Sequence, residues 1–63
     1  MSILHYEIHK KATARTLDTP LHLEIEAARY IDDASGNRVF LDVLGDEVAR
    51  VPLREITTMD IHP

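Results

Sequence analysis

The residues of this sequence with the clearest potential for chemistry are His5, Glu7 and His9. Imidazole nitrogens and carboxylate oxygens are common ligands of zinc and other transition metals. On a strand, residues at every second position share one face, with neighbours about 7 Å apart and His5 about 13 Å from His9. All three therefore do not readily bind one ion. The spacing predicts a metal site only if His22 or another subunit adds a ligand, and a solvated polar face is the simpler interpretation.

Lys10, Lys11 and Arg15 form a basic cluster, and such clusters can bind nucleic-acid phosphates. The whole chain has 7 basic and 11 acidic side chains and a formal net charge of −4. This balance disfavours nonspecific attraction to nucleic acid or to anionic membranes. Single-strand binding also uses exposed aromatic rings, and we expect the few aromatic residues to lie in the core. Nucleic-acid binding through the Lys10–Arg15 loop is therefore an alternative function, and a solvated loop is the simpler interpretation.

Signatures of catalysis or of a resident cofactor are weak throughout the sequence. The stretch from Asp32 to Asn37 lacks the ligand spacing of a calcium loop, so it predicts a turn. Ser2 and Ser35 do not stand in a Gly-x-Ser-x-Gly motif. The absence of cysteine excludes disulfides and thiolate metal sites. We therefore expect a non-enzymatic protein without a cofactor.

The elements that must position these residues are predicted to be strands. Polar and apolar residues alternate from Ile3 to His9, and again from Leu21 to Ala27, as in half-buried strands. Residues 24–31 also fit two turns of helix. We favour a strand with a bulge near Ala27-Ala28 that turns Ala28 and Tyr30 inward. Loops are predicted over residues 10–20 and 32–37.

The strongest hairpin signal is the range 38–52, where two apolar runs surround Gly45-Asp46. A two-residue type II′ turn there, with glycine at positive φ, pairs Leu44 with Glu47 and Phe40 with Val51. Both faces of this hairpin are largely apolar, so its second face must be covered by barrel closure, a short helix or another copy of the chain. The predicted ligand- or partner-binding residues are Phe40, Asp42, Leu44, Arg50 and Val51.

Two of these hairpin residues, Asp42 and Arg50, are charged and stand among apolar neighbours. If they were buried, each would need a charged or hydrogen-bonding partner. The alternative is an exposed position at the rim of the sheet. An arginine at an interface is suited to bind a carboxylate or a phosphate, so a small anionic ligand is one predicted partner.

The end of the chain, from Val51-Pro52 through residues 53–56 to the β-branched run 57–61, resembles the ending of small SH3-like and Sm-like barrels. In those folds a 3₁₀ turn leads to the last strand, and this architectural resemblance implies no activity. We predict one mainly β domain over residues 1–63. It is either a small antiparallel sheet or an SH3-like/Sm-like barrel of four to five strands, with a 3₁₀ turn near Leu53–Ile56.

A chain of 63 residues has little room for a core, and small domains often need a partner for stability. With 44% hydrophobic residues and no long apolar segment, we expect a cytoplasmic protein rather than a membrane protein. The leading hypothesis is a homo-oligomeric interaction module, such as a bacterial or phage regulator, that binds a protein or a small anionic ligand. The alternatives are the nucleic-acid-binding barrel and a metal-binding protein that uses His5, Glu7 and His9.

Overall fold

The computed structural model describes residues 3–11 and 21–63 of the chain. These residues form six strands and a 3₁₀ turn: β1 (Leu4–Lys10), β2 (His22–Ala27), β3 (Arg29–Asp32), β4 (Asn37–Leu41), β5 (Glu47–Pro52), the turn Leu53–Glu55 and β6 (Ile56–His62). Within these ranges the strands pair as two antiparallel sheets, with orders β2–β1–β6 and β3–β4–β5. The mainly β class and the 3₁₀ turn are confirmed. No closed barrel is detected in the described ranges, so the barrel is not confirmed.

The period-two pattern of β1 is confirmed by its burial. Tyr6 and Ile8 are buried, whereas His5, Glu7 and His9 point away from the core. The same pattern explains β2, where Leu23 and Ile25 are half-buried against the core. A strand buries one full face in this way because successive side chains point to opposite sides.

Residues 24–31 form strands, so the helical alternative is wrong. Ala27 ends β2, and the Ala28 N–H donates to the Leu41 carbonyl at 2.8 Å, which brings the chain onto the second sheet. Tyr30 then packs edge-on against Tyr6, with ring centroids 5.8 Å apart. The predicted inward orientation of Tyr30 is confirmed, because the break at Ala28 restores an apolar face towards the core.

The inner faces of the two sheets together form the core. Phe40 of β4 lies at its centre, with its ring centroid 5.1 Å from that of Tyr6 and 6.0 Å from that of Tyr30. Aromatic pairs in such tilted geometry contribute about 0.5–1.5 kcal/mol each beyond their area burial. The buried core cluster consists of Tyr6, Ile8, Ala27, Phe40 and Val51.

The predicted register of the β4–β5 hairpin is wrong by two residues. Phe40 pairs with Ala49 rather than with Val51, and an irregularity follows between Phe40 and Leu41. The connection runs from Asp42 to Asp46, since the Asp42 N–H donates to the Asp46 carbonyl at 2.9 Å. The Asp42 carboxylate also accepts the Leu44 and Asp46 N–H groups, both at 2.9 Å. This carboxylate cap favours the longer turn over a two-residue loop.

The turn between β3 and β4 repeats this geometry. The Asp33 carboxylate accepts the Ser35 and Asn37 N–H groups, both at 2.9 Å. Both turns place a glycine at positive φ, 85° at Gly36 and 88° at Gly45. The sequence carries this signal twice, as Asp-x-x-Gly followed by Asn or Asp. The turn predicted over residues 32–37 agrees with it, whereas the two-residue loop predicted at Gly45-Asp46 leaves Asp42 out of the turn. Positive φ at Gly45 is confirmed, but within this longer turn.

A three-residue 3₁₀ turn joins β5 to β6. The Leu53 N–H donates to the Gly36 carbonyl and the Lys11 N–H to the Glu55 carbonyl, at 2.9 and 2.8 Å, so the turn is tied to both sheets. Ile56, within the predicted turn, begins β6 instead. In the described part of the chain, no helix has the length and apolar character needed to cross a membrane.

Candidate metal site

The outward face of the β2–β1–β6 sheet carries a regular array of polar side chains. The register of β1 with its two neighbours sets three rows across the strands. In the order β2, β1, β6, the rows are Glu26, His5, His62; then Glu24, Glu7, Asp60; then His22, His9, Thr58. All 4 histidines of the chain therefore lie on this face.

The middle row places three carboxylates side by side. Glu7 of β1 is the direct partner of both Glu24 on β2 and Asp60 on β6. Like charges directly opposite each other destabilise a sheet. A cation bound between the rows would reverse this penalty, which is a physical reason to expect positive charge at this face.

Glu7, His9 and His22 form the tightest group of potential ligands. Each offers one ligand atom, and these atoms all lie within 4.8 Å of one another. His22 Nε2 lies 3.6 Å from Glu7 Oε2, and the His9 and His22 rings stack with centroids 4.8 Å apart and planes at 10°. Ligand atoms bound to one tetrahedral zinc lie about 3.3 Å apart, given bonds of about 2.0–2.1 Å. Small rotations of exposed side chains bridge this difference.

A further oxygen ligand stands beside the group. Asp60 Oδ2 lies 3.8 Å from His9 Nε2 across the β1–β6 pair. His9 is partly exposed and Asp60 is exposed on the sheet face, so either side chain can rotate without disturbing the core. Asp60 or water can therefore supply the fourth ligand that zinc requires.

The predicted metal-ligand trio is only partly brought together by the structure. Glu7 and His9 meet His22, the extra ligand that the sequence suggested. His5 lies at the other end of the face, where its Nε2 is 2.8 Å from Glu24 Oε1. Because β1 is extended, His5 and His9 cannot share one ion, as their spacing predicted.

Two of the five predicted partner-binding residues on the hairpin are buried in the described chain. Phe40 and Val51 are 0% and 2% exposed and pack in the core. Leu44 is 82% exposed at the tip of the β4–β5 turn. Phe40 and Val51 lie on the same face of the second sheet, and this face is the one that packs against Tyr6 and Ile8 of the first sheet.

The two charged hairpin residues have structural partners. The Asp42 carboxylate caps its own turn. Arg50 is exposed and its guanidinium donates to Glu47 Oε1 at 2.7 Å, with Asp33 Oδ2 at 3.9 Å. The hydrogen bond to Glu47 raises the pKa of Arg50 above its ordinary value. These contacts agree with a rim position for Arg50, and they account for both charges without a ligand.

The predicted basic cluster is corrected at Lys10. This side chain is 6% exposed, and its Nζ lies 3.5 Å from Glu55 Oε1. Lys10 points inward because it continues the buried register of Tyr6 and Ile8 along β1. Lys11 is exposed, and Arg15 lies outside the described residues.

Arg38 is a partly buried cation that the sequence reasoning did not single out. Its guanidinium binds the Asp32 carboxylate through two hydrogen bonds of 2.7 and 3.0 Å and lies 4.5 Å from the centroid of the Tyr30 ring. The hydrogen bond from Arg38 holds the pKa of Asp32 below its ordinary value of 3.8. Arg38 therefore covers the Tyr30 ring at one edge of the core, and the Asp32 carboxylate compensates its charge.

Comparison with known proteins finds no family model, no curated protein and no solved structure that matches this chain. Functional inference therefore rests on the side chains and their geometry.

Proposed function

We propose that this protein is a small, non-enzymatic β domain that binds a divalent transition metal ion on the outward face of the β2–β1–β6 sheet. The chief support is the convergence of Glu7, His9 and His22, whose ligand atoms lie within 4.8 Å of one another. Two imidazoles and a carboxylate suit zinc better than magnesium or calcium, which prefer oxygen ligands. Zinc accepts this combination of nitrogen and oxygen ligands in a four-coordinate site, so it is the ion that we choose for the test.

The sheet itself supports this proposal. His9 and His22 are direct partners in the β1–β2 register, and Glu7 is two residues from His9 on the same face. The backbone hydrogen bonds of the sheet hold these three Cα positions in place before any ion arrives. A prearranged ligand set lowers the entropy cost of binding.

Charge also supports it. The ion would lie beside Glu7, which has Glu24 and Asp60 as direct neighbours. A dication there replaces repulsion between adjacent carboxylates with attraction. Metal binding is therefore expected to stabilise the fold as well as to occupy the site.

The openness of the site favours binding over catalysis. The side chains of Glu7 and His22 are 30% and 49% exposed, so water reaches the ion freely. Catalytic metal sites commonly exclude water and shape a cavity around the substrate. An open face suits a protein that takes up, holds or passes on an ion.

The test is isothermal titration of zinc into the full chain without a histidine tag. We expect Glu7→Gln and His22→Ala each to weaken zinc binding at least about tenfold. Loss of a residue that only hydrogen-bonds to a metal ligand already has an effect of this size, and these two residues are ligands themselves. Glu26→Gln is the matched control, because it makes the same change on the same face outside the ligand group. Circular dichroism confirms the fold of each variant. No zinc binding by the wild type, or equal affinity in all variants, would refute the proposal.

A second candidate function is self-association through the β3–β4–β5 sheet. Ile31, Val43 and Val48 are about half exposed, and Leu44 is more so. Exposed apolar side chains on β3, on β5 and in the turn between β4 and β5 favour contact with another copy or another protein. Light scattering at micromolar concentration tests this proposal. A strict monomer of 7.2 kDa would contradict it, and Leu44→Asp with Val48→Asp should dissociate an oligomer.

We also propose that the two sheets are the halves of a small SH3-like barrel. In support, β2 leads directly through Ala28 into β3, and β5 leads through the 3₁₀ turn into β6. The Ala28 N–H bond to Leu41 bridges the two sheets at this corner. If β2 and β3 form one bent strand of a barrel, hydrogen exchange at the Ala28 N–H should be slow. Exchange as fast as in a loop would contradict this proposal.

A further inference from the structure

We infer that the same sheet face binds a second divalent ion through His5, His62 and Glu24, with Glu7 shared between the two ions. This inference rests on the proposed function, since Glu7 belongs to the first site. His5 and His62, the two histidines of this face outside the first site, would then also bind a metal ion through imidazole nitrogens and carboxylate oxygens. The face would then hold a pair of ions rather than one.

The two oxygens of Glu7 face opposite rows of histidines. Oε2 lies 3.6 Å from His22 Nε2, within the first group. Oε1 lies 2.9 Å from His62 Nε2, on the other side of the middle row. A carboxylate in this position can bind one ion through each oxygen, as bridging carboxylates do in two-metal sites.

His5 and His62 provide the nitrogen ligands of the second group. They are direct partners in the β1–β6 register, and their ring centroids lie 6.3 Å apart with planes at 42°. His5 Nε2 also lies 2.8 Å from Glu24 Oε1. Two imidazoles, Glu24 and the near oxygen of Glu7 make four ligands, which is the number that zinc prefers.

The second group needs more rearrangement than the first. Two imidazoles on one tetrahedral zinc place their ring centroids about 5 Å apart, given bonds of about 2.0–2.1 Å. The His5 and His62 rings must therefore approach by about 1 Å from their present separation. Both side chains are partly exposed, 35% and 53%, so rotation towards the ion is unhindered by the core. We expect the second ion to bind more weakly than the first.

Charge supports two ions on this face. Four carboxylates lie in its rows, at Glu7, Glu24, Glu26 and Asp60. A single dication leaves half of this negative charge uncompensated, whereas two dications balance it. The remaining carboxylates beside His5 therefore favour a second cation over an empty position.

The experiment is a zinc titration of the full, untagged chain, followed by native mass spectrometry and by nitrogen chemical shifts of the imidazole rings. We expect two zinc ions per chain. The first equivalent should shift His9 and His22, and the second should shift His5 and His62. His5→Ala with His62→Ala should leave one ion bound at the first site, because Glu7, His9 and His22 are all kept in that variant.

Asp46→Asn, an exposed position in the turn between β4 and β5 and away from this face, serves as the control and should retain two ions. A single zinc in the wild type, bound at His9 and His22, would overturn this inference and leave the proposed function standing. A second ion that survives the loss of both His5 and His62 would also overturn it, since that ion binds elsewhere. No bound zinc at all would refute the proposed function and this inference together.

Discussion

Replacement of Phe40 by leucine distinguishes a core residue from a surface contact. Phe40 is fully buried, with ring centroids 5.1 Å from Tyr6 and 6.0 Å from Tyr30. Phe40→Leu removes both ring contacts and keeps an apolar side chain. At about 0.5–1.5 kcal/mol for each aromatic pair, the expected loss in free energy of unfolding is about 1–3 kcal/mol.

That loss is large for a domain of this size. A stability of about 0.05–0.15 kcal/mol per residue gives about 3–9 kcal/mol for 63 residues. Urea unfolding followed by far-ultraviolet circular dichroism measures the change. With a denaturant slope of about 1 kcal/mol per molar, the midpoint should fall by about 1–3 M.

Leu44→Ala is the matched control, because Leu44 is 82% exposed, and the unfolding is measured at a concentration where light scattering shows a monomer. Its free energy of unfolding should stay within about 0.5 kcal/mol of the wild type. The reasoning would be refuted if Phe40→Leu kept the wild-type midpoint. Equal losses in the two variants would also refute it, since burial would then not decide stability at these positions.

Three further outcomes are expected. Asp42→Ala should lower the free energy of unfolding by about 0.5–1.5 kcal/mol in urea denaturation, because two exposed backbone N–H groups exchange a carboxylate acceptor for water, and Asp42→Asn should lower it less. The pKa of Asp32 is lower in the folded chain than its ordinary value of 3.8, so the ionised carboxylate stabilises the fold at any pH above 3.8. This stabilisation is lost as the pH falls through the lower pKa of the folded state. Asp32→Asn should therefore make the melting temperature less dependent on acid pH, and an unchanged dependence would contradict the role of Arg38. Lys10→Ala should lower the melting temperature, because it removes both the packed side-chain stem and the ion pair with Glu55. Lys10→Met should lower it less, because the apolar stem is kept and only the partner of Glu55 is lost. Equal melting temperatures for the wild type and Lys10→Ala would contradict a stabilising role for Lys10.

Much of the strand content was predictable from the sequence, because it depends on local alternation. The pattern from Ile3 to His9 depends on neighbours two residues apart, and burial of Tyr6 and Ile8 follows from it. The turn at Asp33–Asn37 was also predictable as a turn, since small and polar residues cluster there. Local chemistry determines such features without knowledge of the remaining fold.

Pairing between strands was less predictable. The β4–β5 register depended on which turn the chain adopts, and the Asp42 carboxylate selects the longer one. A change of two residues keeps every side chain on its face, so the apolar pattern alone does not choose between the two registers. Lys10 was misjudged for a related reason. Its charge suggests solvent, whereas the strand alternation and Glu55 place it inside.

For the candidate site, the sequence alone determined that His5, Glu7 and His9 share one face of a strand, because that spacing is local. It also determined that His5 and His9 are too far apart for one ion. Only the tertiary structure decided that His22 stands beside His9 and that His62 stands beside His5. These neighbours come from strands β2 and β6, which lie far from each other in the chain. Their positions depend on the burial of both sheets against one core, which no local pattern encodes.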